Sequence, residues 1–143
     1  MFNILIIILY SHTELGQEVA ISSDGNVLAA RLLNNINVYM YDRAELKWVS
    51  RGNLFQLPNN PGYTMSLSSN GNTLAIGYFD GYDKTGTYFA AGWVKIYAWK
   101  APNWIKLGDD ISGSQSFTYF GAALSLSFTG NISTISILLY FSI

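Results

Sequence analysis

One hairpin signature, written three times along the chain, constrains the fold more than any other feature of the sequence. The central copy, YTMSLSSNGNTLAIG over 63–77, alternates Met65 and Leu67 with Thr64, Ser66 and Ser68. It breaks at Asn70-Gly71 and resumes with Leu74 and Ile76 against Thr73 and Ala75. A period of two on both sides of Asn-Gly predicts paired antiparallel strands over 63–68 and 72–78, with Asn and Gly supplying the positive φ of a tight turn. The first copy, GQEVAISSDGNVLAA from Gly16, turns at Asp24-Gly25, and the third, GAALSLSFTGN from Gly121, turns at Thr129-Gly130. In each, a leading glycine (Gly16, Gly62, Gly121) stands nine residues before the turn glycine (Gly25, Gly71, Gly130). The turn glycines are 46 and 59 positions apart.

A second hairpin recurs downstream of the first. NVYMYDRAELKWVSRG (37–52) aligns with WVKIYAWKAPNWIKLG (93–108), matching Val38 to Val94, Tyr41 to Tyr97, Trp48 to Trp104 and Gly52 to Gly108. Two hairpins make four strands per repeat, and four strands at a period near 50 read as one propeller blade, a unit that buries its faces only by stacking on neighbours. The fold expected is therefore all-β: an incomplete β-propeller of stacked four-stranded antiparallel blades. Its strands fall near 17–22, 26–33, 36–41 and 46–51, then 63–68, 72–79, 91–99 and 103–107, then 122–127 and 132–140. The organisation is an apolar segment at 1–14, blade one at 15–57, blade two at 58–111 and a partial blade three at 112–143. Asn53 to Gly62 and 109–120 are read as inter-blade connections.

The pattern G-x-x-[VM]-x-[IL]-S-x-[DN]-G-N-x-L-A, followed by V-x-[IV]-Y and W-[VI]-x-x-G, resembles the FG-GAP-type β-propeller repeats. Phe120-Gly121 stands where that family places its Phe-Gly, and the likeness covers roughly 15–131. The Gly-Ala-Pro common after the second strand is absent: Arg31-Leu32 and Gly77-Tyr78-Phe79 occupy that place, and repeat three leaves the pattern after Asn131. The resemblance implies an extracellular or cell-surface setting and a longer parent ring. Two and a half blades do not close a ring of four to eight. Remaining blades or a protein partner are thus expected, as is self-association through open strand edges.

Half of the residues are hydrophobic, 15% aromatic and only 12% charged, and the net charge is −1. Without a basic stripe, nucleic acid is not an expected partner. The absence of cysteine excludes disulfides and thiolate metal sites. Phe2 to Tyr10 is a compact apolar run, read either as a strand of an incomplete preceding blade or as a weak signal-like segment. It is too short to span a bilayer. Residues 132–143 carry no charge and are read as an apolar strand.

Between the second and third strands of blade two lies an insertion, DGYDKTGTYFAA over 80–91, about ten residues longer than its counterpart. Insertions in repeat proteins collect on one face, often the binding face. Tyr82, Tyr88 and Phe89 are its candidate ligand-binding residues, their flat rings suited to sugar faces. Asp80 and Asp83 are candidate calcium ligands, although the alternating D-x-[DN]-x-[DN]-G spacing of calcium loops is missing and a structural turn is the competing reading. Calcium is the single cofactor considered. Asp24, Asn70 and Asn72 are expected to bond local backbone at the turns, Asp109-Asp110 to form a solvated loop, and Trp48 and Trp104 to pack between sheets. His12 has neither cysteine nor a second histidine to pair with, and no G-x-S-x-G elbow presents a serine. The expected function is non-enzymatic, a structural or protein-interaction surface; the alternative is a carbohydrate- or calcium-dependent module using 80–91.

Overall fold

A computed structural model of the chain describes residues 18–32, 34–58, 62–130 and 133–136. His12 and the apolar run 2–10 lie outside the described residues, as does most of the strand expected at 132–140.

All regular secondary structure among the described residues is strand, arranged in three antiparallel sheets. Sheet 1 contains β1 (Glu18–Ile21), β2 (Val27–Leu32), β3 (Asn35–Asp42) and β4 (Lys47–Ser50) in that order, with β5 (Phe55–Gln56) also pairing β3. Sheet 2 contains β6 (Tyr63–Leu67), β7 (Thr73–Tyr78), β8 (Trp93–Lys100) and β9 (Asn103–Ser112), again in chain order. Sheet 3 is the hairpin β10 (Ala123–Leu126) and β11 (Ser133–Ser136). The three hairpins anticipated from glycine spacing all form. Where four strands per sheet were expected, sheet 1 gains a fifth, because β3 outruns β4 and leaves Asn35 and Ile36 free to pair with Gln56 and Phe55.

The turn itself differs from expectation. Ser22 N–H donates to Val27 O at 2.8 Å and Ser68 N–H to Thr73 O at 2.9 Å, so 23–26 and 69–72 form four-residue loops. Gly25 and Gly71 alone carry the left-handed conformation, at φ +70° and +69°; Asp24 and Asn70 do not share it. Their side chains act instead. Asp24 Oδ1 accepts from Asn26 N–H at 3.0 Å and Ser22 Oγ–H at 2.6 Å, and Asn70 Oδ1 accepts from Asn72 N–H at 3.0 Å and Ser68 Oγ–H at 2.8 Å. The serine oxygen accepts in turn from Val27 N–H or Thr73 N–H, both at 2.9 Å. The Ser, Asp or Asn, and final Asn of S-x-[DN]-G-N thus each have a bond to make, and an Asx side chain closing on its own backbone is the reason for that residue type. These hydrogen bonds hold the Asp24 carboxyl down at about 2, the Ser22 hydroxyl contributing most.

Sheets 1 and 2 bury a common core. Val27, Ala29, Ile36 and Val38 face Met65, Leu67, Leu74 and Ile76, with Trp104 at its outer end. Each fully buried aliphatic side chain there contributes roughly 1.5–3 kcal/mol. The close backbone approaches between sheets run through the first strands, β1 against β6 and β6 against β10. Met65 N–H donates to Glu18 Oε1 at 2.9 Å across the first junction, and Leu126 N–H to Ser66 Oγ at 3.1 Å across the second. Trp104 meets the expectation of packing between sheets: its indole N–H donates to Arg51 O at 2.8 Å. Trp48 lies on the opposite side of sheet 1, edge-on to Tyr41 at 5.5 Å.

One further expectation fails. β9 runs to Ser112, so Asp109-Asp110 are strand residues and not a solvated loop. A register irregularity between Val94 and Ile96 carries the ladder past them, and Asp110 pairs with Lys106 and, at 3.6 Å, with Lys95. Lys95 reaches Asp110 from the paired strand, whereas Lys106 lies four residues back on β9 itself and reaches it because the chain bulges between them, with Gly108 at φ +64°.

Candidate functional site

The 80–91 insertion leaves β7 and returns to β8, and one carboxylate organises its tip. Asp83 is buried and accepts from the backbone N–H groups of Thr85 (3.0 Å), Thr87 (2.7 Å) and Tyr88 (2.6 Å) and from the Thr85 hydroxyl. Asp83 N–H donates to Tyr88 O at 3.0 Å and Gly86 N–H to Asp83 O at 3.0 Å, closing the loop on itself. The Thr85 side chain, followed by the Tyr88 amide, holds the Asp83 carboxyl down at about 2. A carboxylate accepting several backbone amides favours its charged form in this way.

The base of the insertion is pinned to the segment after β9. Phe117 N–H donates to Phe89 O, Tyr119 N–H to Ala90 O and Phe120 N–H to Ala91 O, at 2.9 to 3.0 Å. The buried Thr118 hydroxyl adds a bond to Ala91 O at 2.9 Å. Ala90 and Ala91 are wholly buried between the two loops. Ala90, Phe117 and Tyr119 adopt left-handed backbone angles, leaving Leu46 as the single other non-glycine residue to do so among the described residues. Such strain persists only where surrounding structure over-determines it, and it concentrates at working surfaces.

What this clamp presents is a set of exposed rings. Tyr82 meets Phe89 edge-to-face at 5.4 Å, and Phe89 meets Phe117 edge-to-face at 5.7 Å. Each of the three is about half exposed, at 54%, 47% and 52%. Tyr88, the other ring named from sequence, is exposed on the same loop. Phe117 was missed by sequence reasoning: it lies 28 residues from Phe89 in a connecting segment with no periodicity. The run of positive φ that aims it has no local sequence signal.

The two aspartates named from sequence have different settings. Asp83 is saturated by donors of its own loop, so a cation there would have to displace them. Asp80 lies at the base, against the α-carbon of Gly62. No group of three or more acidic or histidine side chains able to hold a metal is found among the described residues.

A second concavity, of about 260 Å³, lies between residues 54–58 and Trp93, Lys95 and Tyr97. It is small for a ligand pocket. The Lys95 ammonium beside it rests on the Trp93 ring at 4.4 Å and pairs with Asp110 at 3.6 Å.

Comparison of the chain with protein-family models, with curated proteins and with solved structures finds no match. No described helix is long and apolar enough to cross a membrane.

Proposed function

We propose that the chain is a non-catalytic repeat module of β-propeller type that works as a protein-interaction surface. The propeller reading draws support from the side-by-side order of β1, β6 and β10 and from one junction geometry used twice. The surface reading is carried by a single observation: Tyr82, Phe89 and Phe117, from two segments, are joined edge-to-face and held outward by a buried hydrogen-bonded clamp. Contiguous exposed rings rimmed by polar residues mark interaction sites, and aromatic anchors supply most of the energy at such sites.

The geometry favours a protein surface over a sugar. Interplanar angles of 71° and 75° turn successive rings across one another. A sugar stacks on a flat ring face, whereas knobs of a protein surface fit between crossed rings.

The test is peptide selection on the folded protein from a displayed library. Binders are expected to compete with one another and to lose about tenfold or more in affinity when Tyr82, Phe89 and Phe117 are changed to Ser, since each truncated anchor costs over 1 kcal/mol. Selected peptides indifferent to that triple change, or glycan-array binding that the change abolishes, would overturn the proposal.

A further inference from the structure

Two junctions in this chain follow one plan, and a third place is prepared for the same plan with no described sheet against it. Met65 and Leu67 of β6 point back at sheet 1 and are 6% and 8% exposed; Leu124 and Leu126 of β10 point back at sheet 2 and are half-buried. The same positions of the first repeat are Val19 and Ile21, which are 61% and 57% exposed. The turn glycines agree. A β-carbon on Gly71 would stand 2.7 Å from Val27 Cγ2, and one on Gly130 would stand 2.3 Å from Thr73 Cβ, the position equivalent to Val27. A β-carbon on Gly25 meets nothing within 4 Å. Sheet 1 therefore carries the apolar residues and the cleared turn of a junction, with no sheet against them among the described residues.

The opposite end of the stack offers the other half. At the second junction Ser66 Oγ accepts from Leu126 N–H. Ser125 is the third-repeat equivalent of Ser66 and is exposed; Ile21 is the first-repeat equivalent of Leu126. We infer that a second copy of this chain docks head to tail, its β10 packing on β1 of the first so that Ser125 of one copy meets Ile21 of the next. Such a contact is heterologous, and repeated it makes a ring or an open filament. It joins sheets face to face through side chains, unlike edge-to-edge strand pairing. The inference rests on the stacked-repeat reading above, and not on the aromatic platform.

The chain has no cysteine, which allows a direct test. Ile21→Cys and Ser125→Cys are made separately and oxidised alone and as a mixture, with circular dichroism confirming the fold of each. Disulfide-linked dimers are expected in the mixture and not in either sample alone, and the double variant I21C/S125C is expected to form a ladder. In sedimentation, Gly25→Asn is expected to weaken association by about tenfold or more with its melting temperature little changed, because Asn tolerates the left-handed conformation and its side chain enters space a neighbour would need. Absence of the mixed disulfide, equal cross-linking in all samples, or association untouched by Gly25→Asn would overturn the inference. Peptide binding at Tyr82, Phe89 and Phe117 is read on the same variants, so loss of either property leaves the other measurable.

Discussion

Val27 packs against the α-carbon of Gly71, 46 residues further along, so closely that a β-carbon there would stand 2.7 Å from its Cγ2. Gly71 is thus required twice over, by its φ of +69° and by its neighbour, whereas Gly25 at +70° is required by φ alone. Gly25→Ala is expected to cost about 1–2 kcal/mol, the left-handed penalty. Gly71→Ala is expected to cost about 1–3 kcal/mol more, from overpacking. Urea unfolding of the pair measures the difference, and equal values would refute the junction.

Trp104 and Trp48 share a sequence position but not an environment. Trp104→Ala removes a ring that is 8% exposed together with its bond to Arg51 O, and is expected to destabilise by about 3–5 kcal/mol. Trp48→Ala, on the partly open side of sheet 1, is expected to cost less than half of that. Equilibrium denaturation followed by circular dichroism ranks them.

Ser22 and Ser68 occupy equivalent places in their turns, one donating to the Asp24 carboxylate and the other to the Asn70 amide oxygen, and are nearly inaccessible, at 2% and 0% exposure. Either serine changed to Ala leaves a buried N–H, of Val27 or Thr73, without its side-chain acceptor. Each substitution is expected to cost about 1–3 kcal/mol, with Ser22→Ala the costlier because its hydroxyl donates to a carboxylate. Thermal melts of the single variants rank the two.

Asp83 makes the insertion sensitive to acid. Its folded pKa, about 2, lies below the unfolded carboxylate value of about 3.9. A depressed folded value means the loop's stabilisation is complete above the unfolded pKa and is lost as pH falls through the folded one. The amide resonances of Thr87 and Tyr88, which donate to Asp83, are expected to titrate together with a midpoint near 2. A midpoint near 4 would show that the carboxylate is not held as described.

The hairpins were legible because their causes are local. Ser68, Asn70, Gly71 and Asn72 bond within five residues of one another, and so do Ser22, Asp24, Gly25 and Asn26, so a short word in the sequence records the whole network. The backbone bonds of the Asp24 and Asn70 side chains were read from the same word; that Gly25 and Gly71 take the positive φ without them was not. Tyr82 and Phe89 were legible as members of an insertion. Their partner Phe117 was not, because it is placed by its own backbone bond to Phe89 and that of Tyr119 to Ala90, which no periodicity encodes. The strand through Asp109-Asp110 was hidden for a related reason: Asp110 is paired with Lys95, which only the β8–β9 ladder brings alongside, and with Lys106 across a bulge, so two carboxylates that read alone resemble a solvated bend lie in a strand.

The amino-acid order alone determined that this chain forms repeated antiparallel hairpins with glycine at the corners, since strand alternation and turn closure depend on neighbours within a few positions. Tertiary structure alone decided which faces are covered, which rings are joined and which glycines are crowded. Those depend on contacts between segments tens of residues apart, where burial and backbone pairing, not local preference, set the outcome.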